Sequence, residues 1–505
     1  MSRINTNTGS LIAQRILGSN NKSLGVTLER LSTGLRINRG KDDPAGLIAS
    51  ENLRAEKLSL STAISNSERA DQIVNIAEGG LQEVSGLLTE LQGLLTTTAN
   101  KAGLSEEEKQ ANQLQIDSIL QTVDRISDAT NFQGTKLLNG KFDFTTTSVA
   151  TGVTDYRINS AKLANGQSLG VQALVTTSAQ QAGLFLSTNG TLNLNGGTNS
   201  AFTVEIAGNL GTRQLSFASG TTTAQITAAI NTFSDVTGVT AKSSGTGVKI
   251  YSNDFGKNSF ASVKVVNAAN IQGSQAGVYA LNAQNFGTAD TATRSAFNSS
   301  AAANGIRDTG QDIVATINGI SATTNGKSAR INTDFLDVEV TFTTATSQTR
   351  GAVNAFTITG GGADFQLASQ VNIAGKVSLG VTDVSTRKLG NSVVGRLSSL
   401  ASGKQYNIVD GDIAGAQKVV SEAIRQISSV RGRLGAFQKN TIGATIRNLN
   451  VGLENTAAAE SIIRDADFAS ETAALTRSQI LVSAATNVLA LSNSQPQSAL
   501  QLLRG

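Results

Sequence analysis

From Ile73 onward apolar residues return every three or four positions: Ile73, Ala77, Leu81, Val84, Leu88, Leu91 and Leu95. That period marks one face of an α-helix. No proline interrupts the chain between Pro44 and Asn100, and the Gly79-Gly80 pair merely weakens it. A helix over that span is ~80 Å long at 1.5 Å per residue. It outreaches a small globular domain and is stable only where its stripe is covered along its length. The cover must come from elsewhere in the chain or from a neighbouring copy.

The far end of the chain supplies matching stripes. One runs through Val420, Ala423, Ile427, Val430, Leu434 and Phe437, a second through Ile442, Ile446, Leu449 and Leu453, and a third through Leu481, Ala484, Val488 and Leu491. Near the start, Ser105-Glu-Glu-Glu108 reads as a capping box opening a helix through Ile116, Leu120, Val123 and Ser127. These seams are narrow, as in coiled coils. The two ends are expected to pair into one rod. The stripe from Leu481 to Leu503 has no later segment to cover it, so part of the seam is expected to be intermolecular.

Between about 146 and 394 the character changes. The segment is rich in Gly, Ser, Thr, Asn and Ala, poor in charge and free of proline. Alternating runs such as Ala201–Ile206, Gly247–Tyr251 and Leu336–Phe342 are separated by turns such as Asn318-Gly319 and Asn325-Gly326. This predicts one or two β-rich domains with some helix, for example over Thr223–Phe233. The fold class is α+β and multidomain: a coiled-coil helical core from both termini with an inserted β-rich outer region.

Composition narrows the chemistry. The chain has 505 residues, no Cys, no His and no Trp. Disulfides, thiolate nucleophiles, His-ligated metals and the Ser-His-Asp arrangement are excluded. A net charge of +4, with no basic run interleaved with aromatics, argues against a nucleic-acid partner. No run approaches the roughly 18–20 apolar residues that span a bilayer, so no membrane partner is expected. The first thirty residues lack an apolar core and a small-residue cleavage site, so a cleaved secretory signal is not expected.

The stretch RLSTGLRINRGKDDPAGLIASENLR, residues 30–54, invites sharper readings. A phosphate loop needs four residues between its glycines, then Lys and Ser/Thr. Here five separate Gly34 from Gly40, and Asp42 follows Lys41. Gly326-Lys-Ser328 ends correctly, but the earlier glycine position is Ser321. Asp42 and Asp43 could supply only part of a cation's six to eight oxygens. Acids ahead of Pro44 instead read as helix caps, favoured by the dipole, with proline at a first helical position. Asp465-Ala-Asp467 reads as a solvated or interface face. No enzyme activity, cofactor or metal is expected.

Several motifs are shared with a known family. Leu28–Asn38 followed by Lys41-Asp-Asp-Pro-Ala-Gly46 resembles the signature of bacterial flagellin. Ile4-Asn-Thr-Asn7, Thr130–Leu138, Val430–Gly435, Ile462–Asp467 and Gln495-Pro-Gln497 resemble it too. Segments 188–265 and 313–345 resemble small β repeats inside many flagellins. The resemblance implies a filament subunit for motility, with residues 1–42 and 460–505 in an inner tube and 43–145 with 395–459 in a surrounding shell. Residues 146–394 would project outward. Arg36, Asn38, Lys41, Asp42, Asp43 and Pro44 would form the spoke between tube and shell.

It further implies export unfolded through a type III apparatus, an extracellular location, and a cytosolic chaperone on about 465–505. Homo-oligomerisation into a helical filament, capped and joined by flagellar cap and junction proteins, is implied as well. Flagellins sensed by a vertebrate Toll-like receptor carry Arg and Glu where this chain, aligned on Ala99-Asn100, has Gln92 and Gly93; Leu94 is retained. Weak receptor recognition is therefore expected. The alternative is the hook–filament junction protein, which shares the terminal helices. The Gln495-Pro-Gln497 ending and the large central insert favour flagellin. Some flagellins carry a zinc protease on a His-Glu-x-x-His helix, and a chain without His has no such site.

Overall fold

The computed structural model describes residues 6–100, 103–164, 166–194, 201–271, 273–282 and 288–504. Ile4 and Asn5 of the N-terminal motif, and residues 195–200 of the 188–265 segment, lie outside these. So do the side chains of Pro496 and of residues 499–504. Two compact units are present. One comprises the chain up to Val74, Phe365–Lys376 and the chain from Gly435; the other comprises Asn75–Asp364 and Val377–Leu434.

The helical expectations hold in kind. Helix α1 spans Thr8–Thr33, α2 spans the 55 residues Pro44–Thr98, and α3 spans Glu106–Ala129. The Gly79-Gly80 pair is absorbed within α2. Gly80 is a packing position there, since a Cβ would come within 2.8 Å of Leu138 Cδ1. The capping box of α3 forms as expected: Glu108 N–H donates to Ser105 Oγ at 3.2 Å, and Ser105 N–H to Glu108 Oε2 at 2.8 Å. Helix α4, Thr223–Thr232, falls where the sequence places it and carries its own capping box from Thr222.

After the β region come α5 (Ile413–Ala436), α6 (Gly443–Arg464) and α7 (Phe468–Arg504). A single wide π turn over Phe437–Ile442 joins α5 to α6, a device that shifts the helix register locally.

In the second unit the stripes of α2, α3 and α5 are buried: Leu81, Val84, Leu88, Leu91 and Leu95, Ile116, Leu120 and Val123, and Val420, Ile427, Val430 and Leu434. Polar contacts fix their register. Arg431 Nε donates to Glu78 Oε1 at 2.8 Å, linking α5 to α2. Asn112 Nδ2 donates to Thr98 Oγ1 at 3.2 Å, linking α3 to α2.

Among the described residues the β region holds two large hydrophobic cores and a small cluster of Phe185, Tyr279 and Leu281. One core lies between a five-stranded sheet, ordered Ile320–Ser321, Val314–Ile317, Leu169–Thr177, Gly351–Gly361, Phe144–Thr147, and a four-stranded sheet ending on Val153–Ala161. The other uses two four-stranded sheets built from residues 181–309, with Phe202, Val204, Ile250 and Val263 inside. All the pairings described are antiparallel, and along Leu336–Phe342 buried positions alternate with half-buried ones. Asn318 and Gly319 sit at φ 50° and 81°, the two positive angles that a tight hairpin turn demands.

Candidate functional site

In the first unit α1 and α7 pack together through polar contacts and small residues. Asn7 Nδ2 donates to the carbonyl of Ser492 at 2.8 Å, and Ser10 Oγ to Asn493 Oδ1 at 2.7 Å. Arg30 Nη1 lies 3.2 Å from Glu471 Oε1. Ser10, Ala13, Thr27 and Ala485 are buried and Leu17, Leu24, Val482 and Leu489 half-buried, while a second set of large apolar side chains is exposed. Leu11, Ile12, Ile16 and Leu28 of α1 are exposed, as are Ile480, Leu481, Val488 and Leu491 of α7.

The predicted seam therefore divides in two. Val84, Leu88, Leu91, Leu95, Ile427, Val430 and Leu434 are buried inside the chain. Leu481, Val488 and Leu491 stay 47–63% exposed. Two assignments need correction. Ile73 is only half-buried, and Val74 takes the core position; a three-residue step to Ala77 fits the helix drift better than a four-residue one. Phe437 is buried, but in the π turn, where it faces the ring of Phe365 at 6.1 Å between centroids. Phe437 is thus part of an aromatic contact with the hairpin of Ala363–Gln366 and Lys376–Leu379.

The α1–α2 joint is built from its residues as follows. Gly34, at φ 73°, ends α1 and returns its N–H to the carbonyl of Arg30 at 2.8 Å, the left-handed cap that suits glycine. The backbone then pairs with the α6–α7 connection. Arg36 N–H donates to the carbonyl of Arg464 at 2.7 Å, and Ala466 N–H to that of Gly34 at 2.9 Å. The Arg36 guanidinium donates to the carbonyl of Ile463, at 2.5 Å from Nη2. Ile37 is buried against Gly46, where a Cβ would come within 2.7 Å of it.

The two acids of the joint do different work. Asp43 Oδ1 accepts from Gly46 N–H at 2.9 Å and caps α2, as expected. Asp42 is corrected: it caps no helix and closes the joint backward, accepting from Arg39 N–H at 2.9 Å and Asn38 N–H at 3.2 Å. The Arg39 N–H holds its carboxyl below the usual range. Asn38 Nδ2 donates to the carbonyl of Leu35, and Lys41 and Pro44 are exposed. Asp467 caps α7 through Ala469 N–H at 3.0 Å, and Asp465 ends α6. Gln92 and Leu94 are half-buried on α2, and Gly93 is exposed.

Sequence reasoning missed the exposed residues of α1, although Ile12 and Ile16 already stand one turn apart. It also missed the backbone pairing at the joint, which leaves no side-chain period to read. A further polar cluster lines a cavity of about 250 Å³ in the second unit, where strand Val153–Ala161 meets α5. There Arg157 and Glu422 lie 3.3 Å apart, and the Arg433 guanidinium donates to Asn159 Oδ1. Burial pushes the Asp143 and Asp155 carboxyls up and the Arg433 guanidinium down. These groups tie the β region to α5.

Long helical termini around a β-rich insertion define a structural α+β class of chain. Two family models match it: the bacterial flagellin N-terminal helical region over residues 4–143, and the bacterial flagellin C-terminal helical region over residues 417–503. The B-type flagellin of Pseudomonas aeruginosa is 30% identical over 551 residues, covering 99% of each chain. The flagellin of Salmonella rubislaw is 30% identical over 552 residues, again covering 99% of each. Flagellin A of Helicobacter pylori is 26% identical over 536 residues with the same coverage. The chain belongs to the bacterial flagellin family. It is a structural subunit of the extracellular flagellar filament. Among the described residues no helix is long and apolar enough to cross a membrane.

Proposed function

We propose that copies of this chain polymerise through the outward apolar faces of α1 and α7. The observation that carries this is the exposure of Leu11, Ile12, Ile16, Leu481, Val488 and Leu491 on two helices that already pack on each other. A fully buried Leu or Ile gains roughly 1.5–3 kcal/mol over an exposed one, so covering such a face drives association. Contacts between unlike surfaces of successive copies generate an open helical polymer when the rotation from copy to copy does not close into a ring.

In this reading residues 1–42 and 460–505 form the inner tube, 43–145 and 395–459 the shell, and 146–394 the outward region. The spoke of Arg36, Asn38, Lys41, Asp42, Asp43 and Pro44 carries subunit contacts between the first two. The subunit is exported unfolded. A cytosolic chaperone covers about 465–505 until export, and the cap and junction proteins meet the filament ends. No catalysis, cofactor, nucleic acid or membrane enters the role. A filament map at side-chain resolution tests the interface. Leu481, Val488 and Leu491 should be enclosed by neighbouring copies, and solvent-facing side chains there would refute it.

Gln92 and Gly93 replace the charged pair of receptor-activating flagellins, so recognition by the innate receptor is weak. Purified monomer should stimulate a receptor reporter line far less than an Arg-bearing flagellin does; equal stimulation would sink the reading.

A further inference from the structure

The chain passes twice between the two large β cores. It leaves the first after strand Leu169–Thr177 and enters the second at Gln181–Ser187; it returns after Ile306–Thr309 and re-enters the first at Val314–Ile317. The two crossings pair with each other. Gln180 N–H donates to the carbonyl of Gln311 at 2.8 Å, and Gln311 N–H to that of Gln180 at 2.9 Å. A two-stranded ribbon on its own is marginally stable. Such a neck is where a hinge between two domains is expected.

A third segment blocks that hinge. The bend after strand Gly247–Phe255 of the second core reaches the Asn325-Gly326 turn of the first. Between them stands Asp312, on the returning crossing and 9% exposed. Its Oδ1 accepts from Gly326 N–H at 2.8 Å and from Lys257 N–H at 3.2 Å, one donor from each side of the neck. Gly256, at φ 109°, lies against this carboxylate so closely that a Cβ would come within 2.9 Å of Gly326 Cα. Phe255 packs on the first core although its strand belongs to the second, and Lys327 Nζ lies 5.0 Å from the centre of its ring. Lys257 Nζ is 3.4 Å from Asp312 Oδ2, but the lysine side chain is 72% exposed, and an ion pair in that setting contributes little.

We propose that Asp312 is a latch that couples the two β domains into one rigid arm: closed, it fixes the direction of the second domain, and opened, it leaves the neck as a hinge. The coupling is carried by its two N–H donors. Hydrogen bonds to a carboxylate are stronger than those between neutral groups. Removing the acceptor leaves two backbone donors in the closed neck without a partner, whereas an open neck returns both to water. The closed state alone is penalised, and the balance moves toward the open one. Asp312 belongs to neither core, so both domains keep their own packing. The latch is internal to one chain and holds whether or not the chain polymerises.

The chain has no cysteine, so spin labels can be placed at Lys242→Cys on the second domain and Asn332→Cys on the first, both exposed. Distances between them in the full-length monomer should form one narrow distribution. Asp312→Ala should widen it at least about twofold, as hinge motion of a freed domain requires, while far-ultraviolet circular dichroism stays as before. An unchanged width in folded Asp312→Ala overturns the latch. Should that chain not fold, Gly256→Ala gives the same reading, because its methyl group forces the carboxylate and the Gly326 turn apart with both still present; an unchanged width there overturns the latch as well. Asp312→Asn keeps an oxygen for both donors, and Lys257→Met removes only the ammonium, so both should stay narrow. Widening in either variant as large as in Asp312→Ala overturns the assignment of the coupling to the two N–H donors.

Discussion

Removing the residues after 460 leaves a subunit that folds, stays soluble and does not polymerise. The deletion takes away α7, 37 residues long, and with it Leu481, Val488 and Leu491. It also strips α1 of the contacts to Ser492, Asn493 and Glu471. A 26-residue helix with a mixed surface and no partner is marginal in water. Helix α1 therefore frays, and the exposed face it shares with α7 is lost as a unit. The second unit keeps its buried stripes and both β cores, because none of their residues lies beyond 460. Ellipticity at 222 nm should fall by more than the deleted α7 accounts for, while the main thermal transition persists. Sedimentation should show a monomer under conditions where the full chain elongates. Filaments of normal length from the truncated chain would falsify the terminal interface.

How far the sequence reveals this follows from what sets each feature. The long helices were legible because their buried stripes repeat at a helical period, and that period survives whatever covers them. The strand at Leu336–Phe342 was legible because strict alternation has one structural meaning. The joint was half-legible. Asp43 caps α2 as its place before Pro44 suggests, whereas Asp42 folds back onto Asn38 and Arg39, and adjacent acids look alike in a sequence.

What lay beyond reach depends on contacts distant in the chain. The pairing of Arg36 with Arg464 is made by backbone groups and has no residue signature. Phe365 meeting Phe437 depends on where a hairpin ends. Most of all, periodicity cannot distinguish a stripe covered within the chain from one left for a neighbour. Leu88 and Leu491 belong to the same kind of pattern, and the fold assigns them opposite surroundings.

That difference yields the second large expected effect. Leu88→Ala should destabilise the second unit by about 2–5 kcal/mol, the usual range for a buried leucine truncated to alanine. Leu88 is fully buried between stripes that pack at high density, so the lost methyl groups leave a cavity. Leu491→Ala, at a site 63% exposed, should change monomer stability by less than about 0.5 kcal/mol. Alanine is the strongest helix former, so neither change weakens the helix itself. Denaturant titration of the two monomers measures the first contrast, and the critical concentration for assembly measures the second. Leu491→Ala should raise that concentration several-fold, because a side chain left bare in the monomer is enclosed only in the polymer. A Leu491→Ala chain that unfolds early yet assembles normally would place this residue in an internal core and return the whole stripe to the rod.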